Sequence, residues 1–311
     1  MKKTLLYIGL ASMLFASCKE TLAPIGVTTD DGNSSDTSYY EAPDTMVVQQ
    51  RRIYVEELTG AQCPNCPDGA EELHKLNTTT YPGELSIIAF HTAITGTFCI
   101  PIDGVSKQDF RTDDGKRIFT EVWGTSEGKP SAIFDRAPLS VGSNPNKLYN
   151  EGKGGWSAAI IADKDKYKTT PVNIYLSSTF NSEKNRYDIV AKVKYTEAVT
   201  EQNALHIFLS QDSIIDAQLF PGGHNVDTNY VFNHVFRKAL TDPVKGKLIS
   251  STKSAGWVYE YKTSIVIDPA SDASQKYWVA KDMHVTAFVA VADNSADIHV
   301  MQVQDAKLKG E

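Results

Sequence analysis

Two rhythms of apolar residues divide this chain near residue 170: mixed strand and helix spacings before it, period-two alternation after it. Residues 53–58 (Ile-Tyr-Val-Glu-Glu-Leu) read as a strand and residues 59–62 as a turn. Cys63-Pro64-Asn65-Cys66-Pro67 then opens a helix to about Leu76, with Leu73 and Leu76 inward. Proline is tolerated there because first-turn N–H groups have no intrahelical acceptor to lose. Residues 84–90 predict a short buried strand. Residues 110–123 have helical spacing, with Phe110, Ile118, Phe119 and Val122 toward a core. A strand over residues 131–135 is entered through Pro130, and residues 146–166 predict a further helix that must absorb Gly152, Gly154 and Gly155. Past Pro171, alternation recurs at 172–176, 187–195, 204–209, 259–267 and 284–291, and weakly at 299–303. Short strands separated by Asn, Asp, Gly and Ser, without long helices between, predict an all-β sandwich of the immunoglobulin-like kind over residues 171–311.

The first residues have a different purpose. Met1-Lys2-Lys3-Thr4 is basic, residues 5–15 are apolar apart from Gly9 and Ser12, and Ala16-Ser17 are small. That order is a secretory signal, expected over residues 1–17. Its apolar run is too short to span a bilayer, which takes about 20 residues. Cys18 after Phe15-Ala16-Ser17 resembles a bacterial lipobox, with Phe15 where leucine is usual. Lipidation of Cys18 is therefore expected, with a membrane as partner through the anchor; several acyl chains hold where one does not. Residues 18–48 are polar and poor in aliphatics until Met46-Val47-Val48, which predicts a flexible tether with ordered structure beginning near Arg51.

A length of 311 residues suits two domains, here 49–170 and 171–311. Loss of Lys2 and Lys3 with the signal takes the formal net charge from −7 to −9. An acidic chain without a basic cluster is not built for nucleic acid. No cofactor and no metal is expected.

Chemistry concentrates at Cys63 and Cys66, a C-x-x-C after a strand and at a helix start. Unpaired N–H groups and the helix dipole favour a thiolate there. Cys63 is the candidate nucleophile and Cys66 the thiol that resolves a mixed disulfide. The order strand, C-x-x-C helix, strand, helix, proline, strand resembles the thioredoxin fold, which sets a cis-proline opposite the cysteines. Pro130 fits that role. Thioredoxins carry Trp before the first cysteine and Gly-Pro between the two; here Gln62 precedes, with Pro64-Asn65 between. Glu56 and Glu57 lie on the preceding strand, and alternation alone does not say which faces the pair. An exported C-x-x-C also serves as a permanent structural disulfide. Zinc would need Cys99, His91 or His74 to complete a tetrahedral site. By default Cys99 is a small buried hydrophobe and His91 a hydrogen-bonded structural histidine.

Several stretches together resemble the outer membrane protein 28 family, lipoproteins of Bacteroidetes-type bacteria. They are residues 55–60 (Val-Glu-Glu-Leu-Thr-Gly), Cys63-Pro64-Asn65-Cys66-Pro67, Ile88-Ala89-Phe90-His91, Gly128-Lys129-Pro130-Ser131, residues 230–237 (Tyr-Val-Phe-Asn-His-Val-Phe-Arg) and residues 285–289. The resemblance implies a thioredoxin-like α/β domain, a β-sandwich-like domain and an outer-membrane address. It implies no single activity and carries over only Cys63, Cys66 and Pro130. Three functions stay open: thiol–disulfide exchange with a protein client, binding of a surface ligand through the β-domain with the disulfide structural, or a stabilising envelope component with neither activity. The loop over residues 221–225 (Pro-Gly-Gly-His-Asn) is expected to be flexible and at the surface, where loops often carry function.

Overall fold

A computed structural model describes residues 28–30, 34–42, 47–92, 98–124, 128–139, 149–223, 225–249, 253–292 and 297–308. The expected signal peptide and Cys18 lie outside them. In chain order the elements are β1 (Thr28–Asp30), β2 (Ser34–Tyr40), β3 (Ile53–Leu58), α1 (Cys66–Lys75), β4 (Leu85–Phe90), α2 (Asp113–Ile118), β5 (Ser131–Phe134), β6 (Tyr149–Glu151) and α3 (Trp156–Lys166). Then follow β7 (Val172–Asn181), β8 (Arg186–Tyr195), β9 (Asn203–Gln211), β10 (Ile214–Phe220), β11 (Asn225–Phe232), β12 (Val235–Ala239), β13 (Lys247–Ile249), β14 (Trp257–Ile265), β15 (Met283–Val291) and β16 (Val300–Lys307).

The strands form two large sheets and a hairpin. One sheet has the order β1-β2-β14-β8-β7. The other runs β16-β15-β9-β12-β4-β3-β5-β6, with β13 also on β9. In β8 every second residue is buried, so Ile189, Ala191 and Val193 point one way. With Tyr259 and Tyr261 of β14 they pack against Leu205, Ile207 and Leu209 of β9 and Val285, Ala287 and Val289 of β15. Each fully buried aliphatic contributes about 1.5–3 kcal/mol, so this inter-sheet layer anchors the β-rich half.

Within the larger sheet, β3 is parallel to β4 and antiparallel to β5, and β5 is antiparallel to β6. The α1 helix makes the crossover that a parallel pair requires. The sheet does not end at residue 170. β12 joins β9 on one side and β4 on the other, at Val235↔Ala89. One core also crosses that line: Tyr54, Phe90 and Trp123 pack with Phe208, Phe236 and Phe288. The two regions of sequence thus share a sheet and a core.

Several expectations need correction. Part of the expected tether is a strand: β2 pairs with β14 from Tyr40↔Trp257 to Ser35↔Lys262. A strand covered on few sides needs backbone pairing more than aliphatic side chains, so its polar composition hid it. Residues 149–151, expected as helix, pair with β5, and α3 begins only at Trp156, past Gly152 at φ +81°. The helix expected from residue 110 starts at Asp113, where the Thr112 side chain accepts from the Gly115 N–H at 3.0 Å. Such an N-cap satisfies a first-turn donor and fixes the start. Phe110 is buried ahead of the helix.

Candidate functional site

The C-x-x-C turn leaves the end of β3 through Thr59 and Gly60. Gly60 has no side chain because a Cβ there would stand 2.2 Å from the Phe98 carbonyl oxygen. The Cys63 N–H donates to the Gly60 carbonyl at 3.0 Å, and the Cys66 N–H to the Cys63 carbonyl at 3.2 Å. Asn65 occupies the N-cap position and Cys66 is the first residue of α1, so Cys63 sits in the turn before the helix rather than inside it. Cys63 and Cys66 are joined as a disulfide, with Cα atoms 5.4 Å apart. Each is 1% exposed.

Two segments cover the turn. On one side, the Gln62 N–H donates to the Phe98 carbonyl at 2.9 Å, and its side-chain amide donates to the carbonyls of Ile100 and Pro101. On the other stands the β10–β11 hairpin. The Gln218 amide donates to the carbonyls of Cys63 and Leu219, both at 2.9 Å, and the Leu219 N–H donates to the Ala61 carbonyl at 2.8 Å. The hairpin is pinned in turn by Asp216, fully buried, which accepts from the Lys107 and Gln108 N–H groups at 2.8 and 3.1 Å. Nothing in the sequence marks Gln218 or Asp216. Both sit in a strand with a bulge between Asp216 and Gln218, so no period-two pattern betrays them.

The Lys129–Pro130 bond is cis. Pro130 lies against α1: a Cβ on Gly69 would come within 2.7 Å of the Pro130 Cβ and 3.1 Å of Trp156. Glycine at 69 therefore lets the helix that begins with Cys66 approach the proline. Of the three residues singled out in sequence, the structure bonds Cys63 to Cys66 and sets Pro130 one turn along the same helix.

The two glutamates of β3 part company. Glu56 accepts from Arg136 Nη2 and from Trp123 Nε1, both at 2.6 Å. Glu57 is 4% exposed, and its Oε1 has no hydrogen-bond partner. Burial pushes its carboxyl up to about 7, against the weaker pull of Lys129. The Lys129 ammonium is buried too, lies 5.9 Å over the Phe119 ring without a hydrogen-bond partner, and is held below its ordinary value by desolvation. His91 departs from expectation. Neither ring nitrogen has a hydrogen-bond partner, and the ring packs 4.7 Å from Phe110 and 5.6 Å from Phe232. Burial, then Lys129 and Arg237, lower it to about 3, so it is a neutral aromatic spacer at physiological pH. Cys99 is free and buried, donating from Sγ to the Thr59 carbonyl at 3.3 Å; burial raises its thiol.

The 230–237 stretch turns out to be a joint. His234, at φ +59°, turns the chain from β11 into β12. The Arg237 guanidinium donates to the Gln211 and Gln108 side chains at 3.0 and 2.9 Å and lies 5.8 Å over the Phe110 ring. His224 of the neighbouring loop lies outside the described residues.

No curated protein matches the chain. Among solved structures, HBP35 of Porphyromonas gingivalis superposes with a TM-score of 0.56 at 14% identity, over 83% of this chain and 76% of its own. That is a likeness of fold. A β-glucosidase from Kluyveromyces marxianus reaches a TM-score of only 0.20 at 12% identity, over 45% of this chain and 14% of its own, and carries no argument. The family model described as outer membrane protein Omp28 matches residues 116–311, well over half of the chain. With that match comes a cell-envelope location. The chain belongs to the outer membrane protein Omp28 family.

Proposed function

We propose that this chain is a lipid-anchored outer-membrane protein with a thioredoxin-like half, in which the Cys63–Cys66 bond is a structural lock and the protein's work is binding. The thioredoxin-like reading draws support from the strand order β4-β3-β5-β6 with β5 antiparallel, from α1 between β3 and β4, and from the cis-proline against that helix. The anchor at Cys18 rests on the sequence pattern alone.

One observation carries the lock: both cysteines are 1% exposed beneath the hairpin that Gln218 ties to the turn. Thiol–disulfide exchange needs an attacking thiolate to reach a sulfur. Among the described residues, the 1% exposure of each cysteine leaves little room for such an approach. The exchange reading has one observation in its favour, the Glu57 carboxyl that burial holds near 7 on the strand leading to the pair, where a proton acceptor would help Cys66.

The test is a glutathione redox titration of the chain without residues 1–18, followed by alkylation. A lock gives a potential below about −300 mV, with Cys63 unreactive until the chain unfolds. A potential between about −270 and −120 mV, with Cys63 alkylated in the folded state, would replace the lock by exchange.

A further inference from the structure

We propose that the groove between α1 and the β10–β11 hairpin binds a primary alkylammonium group, carried on a lysine side chain or on a free diamine. The groove has a volume of about 390 Å³, and its lining includes Glu57, Asp68, Glu71, Leu73, Ile87 and Tyr230. Among the described residues three carboxylates line it, and no lysine or arginine does.

The charges are unequal. Asp68 is already paired with Lys153 at 2.8 Å. Glu71 is exposed on α1. Glu57 is the group that needs an explanation, because it is almost wholly buried, lines the groove, and has an Oε1 without a partner. A buried carboxylate left unpaired is costly, and such groups persist where something completes them. Lys129 acts on it electrostatically, yet no hydrogen bond or ion pair joins the two, and Lys129 is not on the groove's lining.

The field inside the groove is negative. Burial first, and then the Glu57 and Glu71 carboxylates, raise the Tyr230 hydroxyl to about 12. Burial holds the His234 ring below its ordinary value, against the pull of Asp212. An ammonium ion would meet the Glu57 oxygen beside Tyr230, which lines the same groove. Leu73 and Ile87, both buried, offer an apolar wall for the methylene stem. Because Glu57 titrates near 7, an arriving cation would also complete its ionisation.

This narrows the binding reading to one groove, and its failure would leave that reading standing for the rest of the surface. It does not depend on the disulfide, since the two experiments read different residues. The experiment is calorimetric titration of the full oxidised chain with 1,5-diaminopentane, with an N-acetylated lysine-centred pentapeptide, and with the same acetylated peptide bearing norleucine. Saturable binding of either ammonium probe is expected, with the norleucine peptide silent. Glu57→Gln should weaken it tenfold or more. Ala70→Arg, which places a cation in the groove from the half-buried side of α1, should abolish it and guards against a Glu57 variant that fails to fold. Binding of the diamine alone assigns the site to free amines, and binding of the lysine peptide assigns it to a protein side chain. Neither ammonium probe binding at millimolar concentration, or binding indifferent to both substitutions, would overturn the proposal.

Discussion

Glu56 and Glu57 are adjacent on β3 and almost equally hidden, 0% and 4% exposed, yet they face opposite sides of the sheet and lead opposite lives. On one face Glu56 is saturated by Arg136 and Trp123, with the Arg136 guanidinium 5.1 Å over the Phe288 ring. On the other, Glu57 has a partnerless oxygen and a groove in front of it. Burial alone therefore does not decide what a carboxylate is for. Pairing does: a fully bonded charge is part of the framework, and an unbonded one of equal burial is held in readiness by the framework around it.

The largest effect should come from the paired face. Glu56→Ala leaves the Arg136 charge and the Trp123 N–H buried without their acceptor and should cost about 3–5 kcal/mol, read from urea unfolding. If Glu57→Ala cost as much, the distinction between the faces would collapse.

Glu57 should instead show itself through pH. Its carboxyl titrates at the ordinary 4.5 in the unfolded chain and near 7 in the folded one. Between those values the folded chain binds more protons, so stability falls as pH rises. The group's contribution is whole below 4.5 and gone above about 7, a loss of about 3 kcal/mol across the window. Unfolding curves at pH 5 and pH 8 should therefore differ less for Glu57→Gln than for the natural chain. An unchanged difference would mean that Glu57 titrates normally.

The smallest effect concerns the hairpin. Gln218→Ala should cost only about 1–2 kcal/mol for the carbonyls left without a donor. It should nonetheless raise the rate at which dithiothreitol opens the Cys63–Cys66 disulfide several-fold. A rate unchanged by the substitution would locate the protection elsewhere.

How much of this was legible depended on how many sides of an element are covered. β8 buries one face only, so residues 187–195 declared themselves by alternation. β3 is covered on both, all six of its residues are buried, and its sequence gives no hint that Glu56 and Glu57 differ. β11 has the reverse problem: nearly all of it is exposed or half-exposed, so no apolar rhythm marks it as a strand. The C-x-x-C and Pro130 were readable because spacing and proline are local features. Gln218 was not, because its role is defined by carbonyls more than 150 positions away. The shared sheet escaped for the same reason, since the β12–β4 pairing leaves no local trace.

That pairing also sets a schedule. A chain that emerges with its beginning first presents residues 53–134 long before residues 235–239 and 300–307, yet β4 needs β12 beside it, and Arg52 reaches forward to Asp305 at 2.9 Å. Contacts so distant in sequence close late. During that interval the two cysteines have no lid, because Gln218 has yet to arrive. A bond formed in that interval would be sealed by the rest of the fold against whatever made it.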